Sequence, residues 1–347
     1  MLQRGLAGLV VASSSRFRAR ALWASDSDAA FADVLGASAS VFARAQLLAA
    51  TNAALNSVAA AAHAGAPAFG VVVASPQFHA AWGYAATASL PVSLSRAAHD
   101  NNSADGSPFA EAALDAVLSV AVAAAASVRG GASALSTESS AHAASSRVLL
   151  VVVDGDNDFY SQSETLRARG AETDGAAALR ALPPSVPLPF DESSQRVRVR
   201  KTGLGSSAAL TVAIVGAALG VLGVVRSPLD ERGRHLIHAT AQAAHGRAQG
   251  KVGSGFDVAA AVFGSISYAR VPPDALRDIM DSADGERAEN GYGTRLLSAA
   301  ASGEGGVEAE DGRAWSFSAA PWSLPAGLRL ALADVAGGAC LCPLFAR

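Results

Sequence analysis

The residues best suited to chemistry lie in two short glycine-bearing loops. Residues 201–207, KTGLGSS, run straight into a long apolar stretch, and residues 251–256, KVGSGF, lead into Asp257 and an Ala/Val-rich run. Glycines let a backbone approach an anion closely, and successive N–H groups at a helix start then hold phosphate oxygens without lysines. On that ground Gly203, Leu204, Gly205, Ser206, Ser207, Ala208 and Ala209 form a candidate phosphate cradle with Lys201 at its entrance. The Ser206 and Ser207 hydroxyls add groups that suit phosphate or a magnesium ion. The Walker pattern G-x-x-x-x-G-K-[ST] does not occur, since Gly246 and Gly250 stand one residue too close and Val252 replaces the hydroxyl. Gly203-x-Gly205-x-x-Ala208 matches the looser dinucleotide fingerprint. Against that match, the preceding stretch alternates arginine with valine, and Asp230 comes late for a ribose-binding acid. The loop alone leaves three readings open: a nucleotide-phosphate site, a dinucleotide site, or a tight turn that caps a helix.

In the second loop Lys251, Ser254 and Asp257 are placed where functional groups can converge. An aspartate at a helix start has a plain structural role as well, as a cap or a first-turn acid on the helix dipole, and taken by itself the segment favours that role. Two further patterns are set aside. Residues 154–164, DGDNDFYSQSE, imitate the acidic start of a calcium loop, but Phe159 stands where the turn glycine belongs and Thr165 where the bidentate glutamate belongs. His238 and His245 fall on one helix face with no acidic third ligand, as packed or surface histidines would.

The elements that must position these loops follow from pattern. Residues 8–12, GLVVA, and the alternating RFRARA segment read as extended structure, in preference to an Arg- and Ser-rich transit peptide. Residues 42–63 are Ala-rich and of low polarity, and 68–74 and 147–153 read as strands. Ser107-Pro108, with Glu111 in the first turn, opens an apolar helix that runs to Val128 and stops at Gly130-Gly131. Ser227-Pro228 opens another by the same device, with Asp230 placed to help as a capping acid and Gly250 to close it. Residues 163–189 are polar and then proline-rich, hence irregular, and 196–200 read as a half-exposed strand. Residues 272–321 are polar, acidic and glycine-bearing, as a linker or mobile insertion would be, and 328–335 form a last strand.

The chain has 347 residues, enough for a sizeable core, and half are apolar while 16% are charged. A net charge of -3 supplies no basic field, so neither nucleic acid nor an anionic membrane surface is an expected partner. The longest apolar run, residues 208–225, reaches the lower edge of a membrane span but follows a glycine-serine loop, which favours a buried helix; no other run approaches it, and the chain reads as soluble. Cys340 and Cys342 make neither a disulfide framework nor a zinc site, and point to a reducing compartment.

Taken together the two loops resemble a known family. KTGLGSSAA at 201–209 is similar to the second motif of the GHMP small-molecule kinases, in the Lys-Thr form of eukaryotic members that act on 5-phosphomevalonate. Residues 244–270, AHGRAQGKVGSGFDVAAAVFGSISYAR, resemble the same family nearly residue for residue. DNDFYSQ at 156–162, SPFAEAAL at 107–114, LPAGLRLALADVAGG at 324–338 and AGLVVASSSRF at 7–17 are similar to further family segments, in family order.

The resemblance implies an α/β (α+β) fold: a nucleotide-binding GHMP domain of mixed sheet and helices over 1–270, a polar linker over 271–323, and over 324–347 the first strand of a C-terminal domain. It implies transfer of the γ-phosphoryl of ATP, with Mg2+, to the phosphate of 5-phosphomevalonate on the mevalonate route to isoprenoids, in the cytoplasm or in peroxisomes. Asp257 and Lys251 would be catalytic, Ser254 and Gly255 would meet the acceptor, and Ser207 would contact the metal. The family's first motif has no counterpart, and the family pattern breaks at Ala339, as in a truncated or mis-spliced gene model whose foreign tail carries both cysteines. That leaves two alternatives: a non-catalytic nucleotide-binding fragment, or another GHMP kinase such as mevalonate kinase.

Overall fold

A computed structural model describes residues 7–25, 41–63, 68–87, 92–97, 106–129, 147–170, 176–191, 193, 196–226, 230–283, 291–302 and 315–328. The strand read at 328–335, the stop at Gly130-Gly131, the Ser227-Pro228 helix start and both cysteines lie outside the described residues.

The centre is a five-stranded sheet whose inner strands over 68–75 and 147–155 are buried on both faces. Its strands are β2 (Phe17–Ser25), β3 (Ala68–Ser75), β4 (Ala80–Thr87), β5 (Leu94–Arg96) and β6 (Arg147–Gly155), in the order β2-β6-β3-β4-β5. Only β3 and β6 run parallel, so the sheet is mixed. Side chains alternate across a strand. Leu47, Ala50 and Ala54 of α1 (Val41–His63) accordingly pack with Val72, Ala74, Val148 and Leu150 on one face. Val71, Val73, Leu149 and Val151 pack on the other. That second face is covered by α2 (Pro108–Arg129) and by α5 (Ser206–Val221), with α3 (Ser163–Ala168) and α4 (Ala176–Arg180) lying between them in the chain. Behind them comes α6 (Glu231–Gln249).

The α2 helix begins where the sequence predicts, with the Ala110 amide 3.4 Å from the Ser107 hydroxyl. It also revises the reading of apolar runs: Pro108–Ser127 is long and apolar enough to cross a membrane, and 67% of its most apolar window is buried inside the fold. Within the described residues the α6 helix bears out the capping role read for Asp230. Its N-cap is Asp230, whose carboxylate accepts from the Gly233 amide at 2.7 Å, and Gly250 ends it in the left-handed conformation.

A three-stranded antiparallel sheet lies beside this core. Strand β1 (Ala7–Val10) and β10 (Ser318–Pro321) flank β9 (Ile266–Ala269), which follows α7 (Phe256–Phe263). Two corrections apply to the polar regions. The strand read at 196–200 shrinks to β8 (Arg196–Val197), paired only with β7 (Phe190–Asp191). Residues 271–323 are not a bare linker, because α8 (Pro273–Asp281) and α9 (Tyr292–Ser302) fold there. Leu276, Ile279, Leu296 and Ala300 are buried in the main core, and α9 packs on α2 and α6. Both helices are amphipathic, with apolar positions that recur at helical spacing.

Candidate functional site

The loop before α5 is fixed from its entrance. The Tyr160 strand end pairs with Lys201, the Ser161 amide donates to the Arg200 carbonyl at 2.8 Å, and the Thr202 amide and hydroxyl donate to the Phe159 and Asp158 carbonyls at 3.2 and 2.6 Å. The acids that imitate a calcium loop have other work. Asp156 accepts from the Arg16 amide at 2.7 Å and pairs with Arg18, and Asp158 accepts from the Ser15 hydroxyl at 2.9 Å. They tie the segment after β1 to the segment before the glycine loop.

Gly203 and Gly205 both take the left-handed conformation, φ +83° and +74°, and Gly205 is the N-cap of α5. No side chain caps that helix start. The first amides of a helix have no partner inside it, so those of Ser206, Ser207 and Ala208 have none within α5 and sit at the positive end of its dipole, although residues 206–208 do not line the cavity described below. The side chains at these positions divide. Ala208 is wholly buried, and Ser206 is buried beneath Tyr160, to which it hydrogen-bonds; burial pushes the Tyr160 phenol well up, an effect the Ser206 contact only partly offsets. Ser207 is half-buried, and its hydroxyl lies 3.1 Å from His245 Nε2.

The second loop repeats the device. Gly255, φ +72°, is the N-cap of α7, again with no side-chain cap. Below it, the buried Gln242 amide donates to the Gly255 carbonyl at 2.9 Å and lies 3.1 Å from His238 Nε2. Asp257 in the first turn of α7 is exposed, with one oxygen accepting from the Val258 amide at 3.0 Å. The two loops touch: a Cβ placed on Gly205 would stand 3.4 Å from Asp257 Cβ.

The fold thus gathers much of what the sequence singles out. A cavity of about 730 Å³ is lined by Gly203, Leu204, Gly205, Ala209 and Asp257, together with residues 10–13 after β1 and the outer face of α7. Lys251 and Ser254 are exposed on the neighbouring loop and do not line that cavity. Gly255 is held against Gln242 rather than open to a ligand. A second cavity, about 780 Å³, opens on the other side of Pro108 and Gly250 and carries Arg96, Glu111, Asp115 and Arg247. Glu111 there accepts from the Tyr84 hydroxyl at 3.0 Å, and Asp115 pairs with Arg247 at 2.5 Å.

One side chain at the seam has no site role in the sequence reading. His245, read there as packing or surface, is buried at the seam, with its ring 5.3 Å from that of Phe109. Lys201 Nζ stands 6.0 Å from the centre of the same Phe109 ring. Burial holds the His245 imidazole below its ordinary pKa; the Asp257 carboxylate pulls it back up, and the Lys201 charge pushes it down again. The signal that could have found it is its place in the same segment as Asp257, one helical turn before Gln249. Among the described residues, no three His, Cys, Asp or Glu side chains gather to hold a metal ion.

Residues 189–265, an α/β segment that holds both glycine loops, match the family described as GHMP kinases N terminal domain. The chain is also similar to curated phosphomevalonate kinases. The chain is 41% identical over 138 residues to the peroxisomal phosphomevalonate kinase of Arabidopsis thaliana, covering 36% of this chain and 27% of that one. It is 34% identical over 194 residues to the phosphomevalonate kinase of Aspergillus fumigatus, covering 55% and 35%. Over 71 residues it is 45% identical to the phosphomevalonate kinase of Saccharolobus solfataricus, covering 20% of each. The chain thus spans about a third or less of the curated relatives it matches. No solved structure matches.

Proposed function

We propose that this chain carries the nucleotide-binding part of a kinase that transfers the γ-phosphoryl of ATP to the phosphate of 5-phosphomevalonate, giving 5-diphosphomevalonate and ADP. The single observation behind it is the contact of two uncapped, glycine-started helices, with Asp257 of one beside Gly205 of the other. Open amides at one helix start suit the nucleotide phosphates, and a carboxylate beside them suits the incoming acceptor.

In this reading the backbone of residues 203–209 cradles the nucleotide phosphates and Lys201 adds charge at their edge. Lys251 and Ser254 hold the acceptor phosphate. The bond to the transferred phosphorus forms from an acceptor phosphate oxygen as the bridging oxygen leaves with ADP. A phosphate monoester has its second pKa near 6 and is largely ionised already, so no strong base is needed. Asp257 orients the acceptor and takes up the residual proton, while positioning and charge neutralisation carry most of the rate. Mg2+, which supplies charge neutralisation on the phosphates when bound, keeps most of its waters and asks for only one or two protein groups. The sparse donors here fit that habit, with Ser207 as the metal contact. The compartment proposed is the cytoplasm or the peroxisome.

The test is ADP release with ATP, Mg2+ and either 5-phosphomevalonate or mevalonate, run on this chain and on the chain extended at both ends to the length of its relatives. Turnover with 5-phosphomevalonate and not with mevalonate is expected; turnover with neither acceptor in the extended chain overturns the substrate assignment. Asp257→Asn in the active form should lower turnover by about 10²–10⁴-fold, the range for a positioned proton-transfer group, with little change in ATP affinity. Near-normal turnover removes Asp257 from that role.

A further inference from the structure

The cavity beside Asp257 is walled mostly by apolar side chains, Val11, Val212, Phe256 and Ala260 among them, and among the described residues it carries two charges of opposite sign, Asp257 and Arg16. The two arginines at the start of β2 are used differently. The Arg18 guanidinium is neutralised by the Asp156 carboxylate at 2.6 Å. Arg16 gives that carboxylate only its backbone amide, at 2.7 Å, while its guanidinium donates through Nη1 to the Ser13 and Ser15 carbonyls at 2.8 and 3.1 Å. Carbonyls orient the cation without cancelling its charge. Among the described residues no carboxylate pairs with it, and a guanidinium has more donors than Nη1 supplies. Its segment is held as well, since the Ser15 hydroxyl donates to Asp158 at 2.9 Å. Arg16 is therefore an oriented, exposed cation at the wall of an apolar cavity whose other charge is the candidate catalytic carboxylate.

We propose that Arg16 determines specificity for the acceptor by pairing with a carboxylate on it, while the acceptor's phosphate meets Asp257. This rests on reading 5-phosphomevalonate as the acceptor. That molecule is a phosphate monoester at one end of a short, methyl-branched chain and a carboxylate at the other. The apolar wall suits its branch and methylenes, and a planar guanidinium suits its carboxylate, which it can hold by two parallel hydrogen bonds. Arg16 thus selects acceptors that carry an acid as well as a phosphate.

The test uses the extended chain that shows turnover, and compares ATP, 5-phosphomevalonate and 3-hydroxy-3-methylbutyl phosphate, which keeps the phosphate and the branch but has no carboxylate. The last is read as a substrate, or as a competing inhibitor where it is not turned over. Arg16→Met keeps much of the side chain's length without its charge. It should raise KM for 5-phosphomevalonate about tenfold or more, the loss that goes with a hydrogen bond to a charged group, with little change for ATP or for the carboxylate-free phosphate. The preference for the acid over its carboxylate-free analogue should vanish with it. Arg16→Lys restores the charge but not the fork, and should recover part of that preference. Equal losses with both acceptors would show that Arg16 only holds up the cavity wall, and a raised KM for ATP alone would give its charge to the nucleotide. Either result, or unchanged values for all three, overturns the inference and leaves the substrate reading standing. If the unsubstituted extended chain turns over no acceptor, the substrate reading falls and the inference with it.

Discussion

The two glycine loops start their helices in the same way, yet they are supported differently. Gly205 has open space around it apart from Asp257, whereas a Cβ on Gly255 would sit 2.4 Å from the Gln242 amide. Beneath Gly255 runs a buried polar chain of Gln242, His238 and the Tyr268 hydroxyl, with His238 enclosed by Phe263, Tyr268, Trp315 and Phe317. The first loop leaves its glycines clear: its buried polar contacts lie one and two residues on, at Ser206 and Ser207, and it is fixed at its entrance by the Asp158 and Phe159 carbonyls and by the apolar burial of α5. A phosphate cradle needs room above its amides, while a carboxylate that must orient an acceptor needs a backbone that does not move. Access is built into one loop and fixity into the other.

Three substitutions or conditions can break that contrast. The largest effect is expected from Gly255→Ala, which adds left-handed strain of about 1–2 kcal/mol to an overpacking cost of about 1–3 kcal/mol. Chemical denaturation should show a loss of roughly 2–5 kcal/mol on those figures; a loss under about 1 kcal/mol would mean that Gln242 moves aside freely.

Acid comes next. Burial, helped by His235, pushes the His238 imidazole down to about 3 from an ordinary value near 6.5. A depressed histidine binds its proton more readily in the unfolded chain, so its contribution is fully present above pH 6.5 and is lost as the pH falls toward 3. The slope is at most about 1.4 kcal/mol per pH unit for one group. Thermal melts from pH 7 to 4 should fall accordingly, and His238→Phe should flatten that fall; an unchanged slope would show that other groups carry it.

The smallest effect on stability belongs to Gly205→Ala. The new methyl has ordinary contacts, so only the strain of about 1–2 kcal/mol remains. Binding of ATP should suffer more than folding does, and equal losses of both would remove the distinction between the loops.

The site was far more legible in the sequence than the architecture around it. The loops are local: glycine at the cap, a run of small residues after it, and an acid in the first turn all fall within a few positions. Strands β3 and β6 were legible too, because both faces are buried and their apolar runs are unbroken. Strand β4, AAWGYAAT, was missed, since alanine and glycine carry no strand preference and only its pairing with β3 defines it. The sequence reads α8 and α9 as linker because the charged and glycine-bearing residues around them outweigh their apolar stripes in any local average. Ser207 was chosen for its hydroxyl, but its partner lies 38 residues along the chain, a relation that spacing cannot reveal.

One pairing described above also sets an order of events. The short β1 has no partner until β9 exists, because its register runs Ala7 to Ala269 through Val10 to Ile266. The residues that follow β1 form one wall of the cavity beside Asp257. Contacts of such long sequence separation carry the highest loop-closure cost and form late. During synthesis the first glycine loop emerges well before β9, so a half-made chain holds that loop without the wall opposite it, and the cavity closes only when β1 and β9 meet.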